Sequence, residues 1–485
     1  MIRLWAALVA MLVLIAAAPI TVSVTPERGA AGFSSLRIVQ AFAGDHDGET
    51  RFQLPDAWAG ETGLYDLVRD VQIEGGDLMV HDQPALLIVR HAPGAPLKLG
   101  YRVLDGAHGR DGSRASQAAP DFRPRVRRDF FLAVGATIFA EIASREDSAP
   151  ARFTLIGLPA GAQFAPDLEH PDLTYGKLFS SVLIGGDIRV VDAGEGARLA
   201  LRGATANKTD TAWRESFTAL AQAQRRYWGA VAGPFLVAVL SLPRWSGPNT
   251  TVGGSGLGDA FAAFAGADAS ARDIEEVIGH EMMHSWAPDA ISGGAKDDAQ
   301  RGDYWLSEGV TDWASWRVMM RAKLWTPDDF AAAFNARLGD YDRSRLRLAP
   351  NSAITAGFWS DPDARDLAYQ RGMLLAVYWD DIVRTRTNGA RSFDHVLWRM
   401  RDLARAGGPR TAADLPPLAM RDVSGVDIRR DFERYVIAGE TAPLGIDIYM
   451  PCGFLLRQHG VRQLRLAAAL KRGEAEACRR LLAGE

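Results

Sequence analysis

The sequence predicts a multidomain α+β protein, and three observations support this fold class. A chain of 485 residues is too long for one compact domain. From residue 34 to residue 199, short apolar or alternating runs are separated by Gly, Asp and Pro at near-regular spacing, as in strands. Beyond residue 269 the periodicity is mainly helical. We therefore expect a β-sandwich-like N-terminal domain followed by a helix-rich region.

Changes in this pattern suggest where the domains begin and end. We predict five segments: 1–25, 26–205, 206–330, 331–445 and 446–485. Residues 1–25 precede the folded domains, and residues 26–205 form the β-rich N-terminal domain. The third opens on the long amphipathic helix "TAWRESFTALAQAQRRYWGAV". The fourth is a helical subdomain, and the fifth is a C-terminal helical extension with its last helix over 461–482.

The first residues have the pattern of an export signal. Arg3 is followed by no charged residue until Glu27, and the apolar run over 4–18 ends in three alanines suited to cleavage. The alternative is an uncleaved anchor, although the 17 residues from Leu4 to Ile20 fall short of the ~20 needed to span a bilayer. We expect an exported protein, periplasmic or secreted, which contacts the membrane only if this segment is retained.

Charge and cysteine content narrow the choice of partners. A formal net charge of −4 offers no electrostatic reason to bind nucleic acid. The two cysteines, Cys452 and Cys478, could form a disulfide or remain two buried thiols. Neither lies near a histidine in the sequence, which disfavours a cysteine-rich zinc site.

The segment "VIGHEMMHSW", residues 277–286, is the strongest chemical motif. Ser270 can cap a helix that Pro288 ends, so His280 and His284 lie one turn apart on one face and can reach the same metal ion. Glu281 lies beside them, where it can accept the proton of an attacking water. Chance gives about 0.02 such matches in a chain of this composition. The alternative is a helix whose histidines only hydrogen-bond to their neighbours.

A catalytic zinc site needs a third protein ligand and one open position. Glu308, in "DYWLSEGVTDWASW", lies on the apolar stripe of a second helix, together with Trp305 and Trp313. A carboxylate is costly there unless it is paired or binds a metal. A salt-bridged helix acid is the alternative, which the first motif disfavours.

These residues carry a family resemblance. "HEMMHSW" followed by "WLSEG" resembles the gluzincin zinc peptidases, specifically the glycyl aminopeptidase family, with the alanyl aminopeptidase family as a more distant relative. "AYQRGMLLAVYW" and "FERYVIAGETAPL" are similar to two further segments of these proteins, so that the resemblance covers residues 30–445. It implies a thermolysin-like zinc peptidase domain over 206–330.

The resemblance also implies roles for individual residues. His280, His284 and Glu308 would bind one Zn²⁺, Glu281 would act as general base and acid, and Tyr369 would donate to the oxyanion. From the residues alone, packing in the core is the stronger interpretation of Tyr369. Asp303 and Asp312 flank Glu308. Each could orient a ligand histidine, and each could equally be an ordinary helix-terminus acid.

One stretch departs from the family pattern. Aminopeptidases of these families carry a glutamate for the substrate amine on a Gly-rich strand, but here that stretch reads "VGGSGLGDAF". Gly253 and Gly254 could still let a substrate backbone approach, and Asp259 is the nearest acid. The PDZ domain frequent in the family is not expected in this sequence, because only about 40 residues follow Leu444.

The sequence therefore predicts an exported zinc metallopeptidase that acts on peptide or protein substrates and is aminopeptidase-like. An endopeptidase or dipeptidase on the same scaffold is one alternative. A non-catalytic, zinc-containing peptide-binding protein is another, although a purely structural zinc site has no need of Glu281.

Overall fold

The computed structural model describes residues 19–59, 61–79, 83–106, 122–170, 172–203, 206–230, 233–242, 252–257, 259–266, 268–286, 300–408 and 411–485. The predicted signal or anchor therefore lies largely outside the described residues. Strand β1 begins at Ile20, so residues 20–25 belong to the first sheet and not to the N-terminal segment. Ile20, Val22 and Val24 alternate inward and are buried, which fits a strand with one core-facing side.

The N-terminal domain, as far as the structure describes it, is built from three main sheets. Their orders are β13-β1-β2-β9-β6, β12-β3-β8-β7 and β10-β11-β15-β14. The strand bounds are β1 Ile20–Gly29, β2 Gly32–Ala43, β3 Glu49–Gln53, β4 Ala57–Trp58, β5 Glu61–Thr62, β6 Val68–Glu74, β7 Asp77–Met79, β8 Leu86–Arg90, β9 Pro96–Leu104, β10 Arg125–Val126, β11 Phe130–Val134, β12 Glu141–Ile142, β13 Ala151–Leu155, β14 Gln163–Pro166 and β15 Val182–Gly186. A short helix, α1 (Tyr175–Phe179), precedes β15. This part of the structure confirms the predicted β-rich domain.

A mixed sheet joins this domain to the helices. Its strands are β16 Arg189–Asp192, β17 Ala197–Arg202, β18 Phe235–Ser241, β19 Val252–Leu257 and β20 Ala260–Ala265. In the order β16-β17-β18-β20-β19, the three central strands are parallel and the two edge strands are antiparallel. Alternate residues of β18 enter two different cores. Val237 packs with the helices, and Leu236 packs with the four-stranded sheet that contains β15.

Helices make up most of the remaining described chain. Their bounds are α2 Asp210–Trp228, α3 Ala271–His284, α4 Thr311–Arg321, α5 Pro327–Arg343, α6 Asn351–Gly357, α7 Pro362–Arg386, α8 Phe393–Arg405, α9 Leu415–Ser424, α10 Arg429–Asp431 and α11 Arg472–Ala483. The same described ranges contain two π-helices, at Trp305–Val310 and Phe432–Ile437. Helix α5 crosses residue 330, where the sequence suggested a domain limit. Among the described residues, none of the helices combines the length and the apolar composition that a membrane span requires.

The C-terminal extension differs from the prediction of a helix over 461–482. Strands β21 (Gly453–Gln458) and β22 (Val461–Leu466) form an antiparallel hairpin, and helix α11 begins only at Arg472. Buried and exposed residues alternate along the first part of β21, and His459 adopts a positive φ of 50° at the turn. Cys452 and Cys478 form a disulfide that ties α11 to this hairpin.

Candidate metal centre

Helix α3 presents the first two candidate ligands. A capping box starts the helix, because the Ser270 side chain accepts from the Asp273 amide while the Asp273 carboxylate accepts from the Ser270 amide. Further along the helix, His280 and His284 lie on one face with their ring centroids 4.7 Å apart. The structure thus places the "HEMMH" segment on a helix, as the sequence predicted.

The third candidate ligand comes from the π-helix Trp305–Val310, which carries Glu308. This segment packs closely against α7, and two glycines permit the approach. A Cβ at Gly372 would overlap the Trp305 carbonyl oxygen, and one at Gly309 would lie 2.5 Å from the Tyr369 carbonyl oxygen. The extra residue in a π-helical turn often marks a functional site. Here the packing brings Tyr369 to Glu308.

The three candidate ligand atoms form a compact triangle. His280 Nε2 lies 3.0 Å from His284 Nε2 and 3.2 Å from Glu308 Oε2. The distance from His284 Nε2 to Glu308 Oε2 is 3.7 Å. Ligand atoms at 2.0–2.1 Å from a tetrahedral zinc ion lie about 3.3 Å from one another. The triangle therefore fits one zinc ion with a fourth position left for water or substrate, and the two-nitrogen, one-carboxylate donor set also fits zinc.

Asp312 fixes the orientation of His280. The His280 Nδ1–H donates to Asp312 Oδ1 at 2.8 Å, which leaves the Nε2 lone pair for a metal. Asp303 points elsewhere, since its carboxylate accepts from the Ala412 backbone amide. Of the two acids that flank Glu308, the structure therefore places Asp312 behind the candidate ligand His280, and Asp303 contacts the helical subdomain instead.

The electrostatics of the cluster favour a bound cation. Burial raises the pKa of Glu308, but the His284 and His280 imidazoles and the Tyr369 hydroxyl outweigh it and hold the pKa at about 2. Burial lowers the pKa of His280, yet the carboxylates of Asp312 and Glu308 raise it well above its ordinary value. A positive charge at His280 Nε2, from a proton or a metal ion, is therefore strongly stabilised.

Glu281 and Tyr369 complete the cluster. Burial raises the pKa of Glu281 to about 7, with Glu308 and Asp312 adding to the shift and His280 opposing it. Tyr369 lies with its ring centroid 5.6 Å from that of His280 and donates a hydrogen bond to the Glu308 carboxylate. Burial and these acids raise the Tyr369 pKa well above its ordinary value, so the phenol keeps its proton as a donor.

The predicted substrate-binding residues lie on or beside the edge of the mixed sheet. Gly253 and Gly254 belong to edge strand β19, opposite Phe264 and Ala263 of β20. Asp259 accepts from Lys177 Nζ at 3.2 Å, and the same ammonium lies 3.3 Å from the buried Asp167. The carboxylate of Asp259 is thus paired with the N-terminal domain.

The sequence analysis did not single out Arg337. Its Nη2 donates to Asp312 Oδ2 at 2.6 Å, and its guanidinium carbon lies 5.3 Å from the Tyr369 ring centroid. A signal existed in the sequence, because Arg337 falls at helical spacing between the buried Phe334 and Tyr341. A charged residue on an apolar stripe indicates a partner inside the protein.

Comparison with known proteins identifies the fold. No protein-family model and no curated protein sequence matches the chain. The structure is similar to an aminopeptidase N family protein from Idiomarina loihiensis, with a TM-score of 0.70 and 14% identity over 90% of this chain and 79% of that one. It is also similar to an M1 zinc metallopeptidase from Deinococcus radiodurans, in a mutant bound to a Tyr-Ser-Ala substrate, with a TM-score of 0.53 and 16% identity over 88% of this chain and 95% of that one.

A third match is yeast LTA4 hydrolase in complex with bestatin, with a TM-score of 0.51 and 14% identity over 88% of this chain and 68% of that one. At these identities the likeness establishes the architecture, and the chain therefore has the fold of the M1 zinc metallopeptidases. The predicted α+β class is confirmed. The narrower resemblance to glycyl aminopeptidases stays a prediction.

Proposed function

We propose that this protein is a zinc-dependent metallopeptidase, aminopeptidase-like, that hydrolyses peptide bonds. The observation that carries the proposal is the triangle of His280, His284 and Glu308 with Glu281 beside it. The M1 fold supports it, since the Deinococcus radiodurans structure of this fold is bound to a tripeptide substrate. A non-catalytic role is disfavoured because a structural zinc site needs no buried carboxylate next to its ligands.

Zinc held by His280, His284 and Glu308 would lower the pKa of a water to about 7 and polarise the peptide carbonyl. Glu281 accepts the proton of the attacking water and passes it to the leaving amine. A carboxylate can perform both steps because it accepts a proton and, once protonated, can donate it. Tyr369 donates a hydrogen bond from its hydroxyl group to the oxygen on which charge develops. Asp312 keeps His280 in the tautomer that offers Nε2.

The test is Glu281→Gln, because the amide is isosteric but cannot accept the proton. We expect the variant to fold and keep one zinc per chain, while turnover of a peptide substrate falls by about 10²–10⁴-fold. Zinc is measured by elemental analysis, and turnover is measured on a mixed peptide library whose cut positions are sequenced.

The matched control is Glu275→Gln, the same substitution on the same helix α3. Glu275 pairs with Lys208 and makes no contact with the candidate ligands, so this variant should retain turnover. Unchanged hydrolysis in zinc-replete Glu281→Gln would rule out the proposed mechanism, as would the absence of any peptide cleavage by the zinc-replete wild-type protein.

We also propose that the protein is exported. The apolar N-terminal run supports this, and the disulfide Cys452–Cys478 is the kind of bond that persists in oxidising compartments. Fractionation of cells that make the full chain, followed by N-terminal sequencing of the product, tests export and shows whether the segment is cleaved. Recovery of all the protein in the reducing cytoplasm would contradict it.

A further inference from the structure

Three helices meet at a single guanidinium behind the candidate metal centre. Arg337 lies on α5, Asp312 on α4 and Tyr369 on α7. Both carboxylate oxygens of Asp312 accept hydrogen bonds: Oδ1 accepts from His280, and Oδ2 accepts from Arg337. The charge-assisted bond from Arg337 Nη2 to Asp312 Oδ2 restrains rotation of the carboxylate, so Arg337 influences how Asp312 presents its other oxygen to the histidine.

The same guanidinium also contacts Tyr369. Its carbon lies 5.3 Å from the centroid of the phenol ring, within the range of a cation–π contact. Another neighbour of this ring is the His280 imidazole, whose centroid lies 5.6 Å away. The contacts therefore form a closed circuit that passes through Arg337, Tyr369, His280 and Asp312. A shift of the guanidinium would alter the ligand histidine and the tyrosine together.

From this circuit we propose that Arg337 is a positioning residue for the reaction: it holds His280 for the metal through Asp312 and holds Tyr369 for the oxyanion through its ring. Only the part of the proposal that concerns Tyr369 rests on the proposed function. The part that concerns metal binding rests on the geometry of His280 and Asp312. Partners behind a ligand histidine commonly contribute 10–100-fold to metal affinity.

The chain contains a matched control for a purely structural role. Arg462 pairs with Asp342, a residue of the same helix α5, with Nη2 to Oδ1 at 2.7 Å. Its guanidinium carbon lies 5.8 Å from the ring of Tyr341. Arg462 thus makes the same two kinds of contact, an ion pair and a cation–π contact, with no ligand histidine behind them.

The experiment compares Arg337→Met, Arg337→Lys and Arg462→Met in the full chain. Zinc affinity is measured by competition with a chelator, and the absorption spectrum of the Co²⁺-loaded protein reports ligand geometry. We expect Arg337→Met to bind zinc about tenfold more weakly, the lower end of the range for partners bonded directly to a ligand histidine, and to change the Co²⁺ spectrum. Lysine keeps the charge that Asp312 needs but lacks the planar guanidinium that contacts the Tyr369 ring, so Arg337→Lys should recover most of the zinc affinity while kcat stays low and KM is little changed.

Arg462→Met should lose thermal stability and keep both the zinc affinity and the Co²⁺ spectrum of the wild type. The proposal is overturned if Arg337→Met and Arg337→Lys bind zinc within about twofold of the wild type with an unchanged spectrum. It is also overturned if Arg462→Met weakens zinc binding as much as Arg337→Met does. If the wild type binds zinc but cleaves no peptide, the proposed function fails, and the affinity and spectra still decide the role of Arg337.

Discussion

At the scale of single residues, the candidate metal centre is built from side chains that are mostly buried. The His284 side chain is 14% exposed and that of Glu308 is 16% exposed. We expect His284→Ala to bind less than about 0.1 zinc per chain after dialysis, roughly a tenfold or greater loss, because two protein ligands hold zinc poorly. Elemental analysis checks this. His46→Ala, an exposed histidine of the N-terminal domain, is the control and should keep its zinc. A full zinc complement in His284→Ala would mean that the site is wrongly assigned.

Asp303 gives the structure a pH dependence that is separate from the metal centre. Burial raises its pKa to about 7, and the Ala412 amide only partly opposes this shift. Since the pKa is near 3.9 in the unfolded chain, the contribution of the neutral acid to stability is complete below about pH 4 and is lost as pH rises through about 7. Asp303→Asn should therefore gain stability relative to the wild type between about pH 5 and pH 8, on the order of 1–3 kcal/mol.

Urea unfolding of the zinc-loaded proteins at the two pH values measures this difference. The exposed Asp268→Asn is the control and should follow the wild type at both. If wild type and Asp303→Asn change in parallel with pH, Asp303 does not carry a raised pKa in the folded protein.

Residue types and spacing were enough to predict His280, Glu281, His284 and Glu308 as one group, and the structure brings them together. They were not enough to choose between Asp303 and Asp312. Both acids flank Glu308 in sequence, but in the folded chain Asp312 accepts from His280 and Asp303 accepts from the Ala412 amide, a difference that depends on tertiary packing. Arg337 was missed because its partners lie on two other helices.

At the scale of elements, the contact between the first π-helix and α7 is especially close. We expect Gly372→Ala to lower the free energy of unfolding by about 1–3 kcal/mol, because the added methyl group overlaps the Trp305 carbonyl. Turnover should fall as well, since Tyr369 would move away from Glu308. Gly473→Ala on α11 is the control, because a Cβ there meets open space. Equal stability of the two variants, measured by urea unfolding, would contradict the packing described.

Edge strand β19 leads to a prediction about where the enzyme cuts. A substrate ammonium in a low-dielectric cleft needs a carboxylate, but "VGGSGL" contains none and Asp259 is paired with Lys177. We therefore predict similar kcat/KM values for one peptide with a free and with an acetylated N-terminus, so that the aminopeptidase-like scaffold would not require a free N-terminus, as the endopeptidase alternative also predicts. A preference for the free amine above ~100-fold, about 2.7 kcal/mol, would show that another acid binds it. Asp259→Asn then tests the nearest candidate, with Asp268→Asn as the control.

Among the elements, helix α3 was predictable because its capping box and its 3.6-residue period both indicate a helix that starts at residue 271. The C-terminal hairpin was not. The segment "GVRQLRLAAALKRGEAEACRRLL" contains enough Ala, Leu and Arg to suggest one continuous helix. Pairing of β22 with β21 and packing against α5 override that local preference, as the bond from the Leu464 amide to Asn335 Oδ1 illustrates.

At the scale of the whole molecule, the disulfide fastens the end of the chain to the helical core. It closes a segment with a sequence separation of 26 and holds α11, whose Leu481 and Ala483 carbonyls accept from Arg317 and Arg321. The double variant Cys452→Ser/Cys478→Ser should lose about 3 kcal/mol of unfolding free energy. Urea unfolding with and without a reductant measures this, and the reductant should affect the wild type alone. An effect of the reductant on the double variant would point to a different cause.

The overall architecture was predictable in class because strand-like and helix-like periodicities occupy separate parts of the chain. The way in which those parts join was not. The sequence shows a change of pattern near residue 205, but the mixed sheet contains strands from both sides of it, with β17 and β18 pairing in parallel across the change. Such a pairing is formed by residues far apart in sequence, and local patterns do not contain it.

Strand β18 has a consequence for how freely the parts of this protein can be exchanged. Because neighbouring residues such as Leu236 and Val237 belong to different cores, neither core is complete without this one strand. In a chimera that takes its β-rich domain from another protein, the side chains of that domain would not be fitted to strand β18 of this chain. Substitutions in the β-rich domain and in the helical region are therefore expected to be correlated during evolution. A stable chimera would have to include the whole mixed sheet.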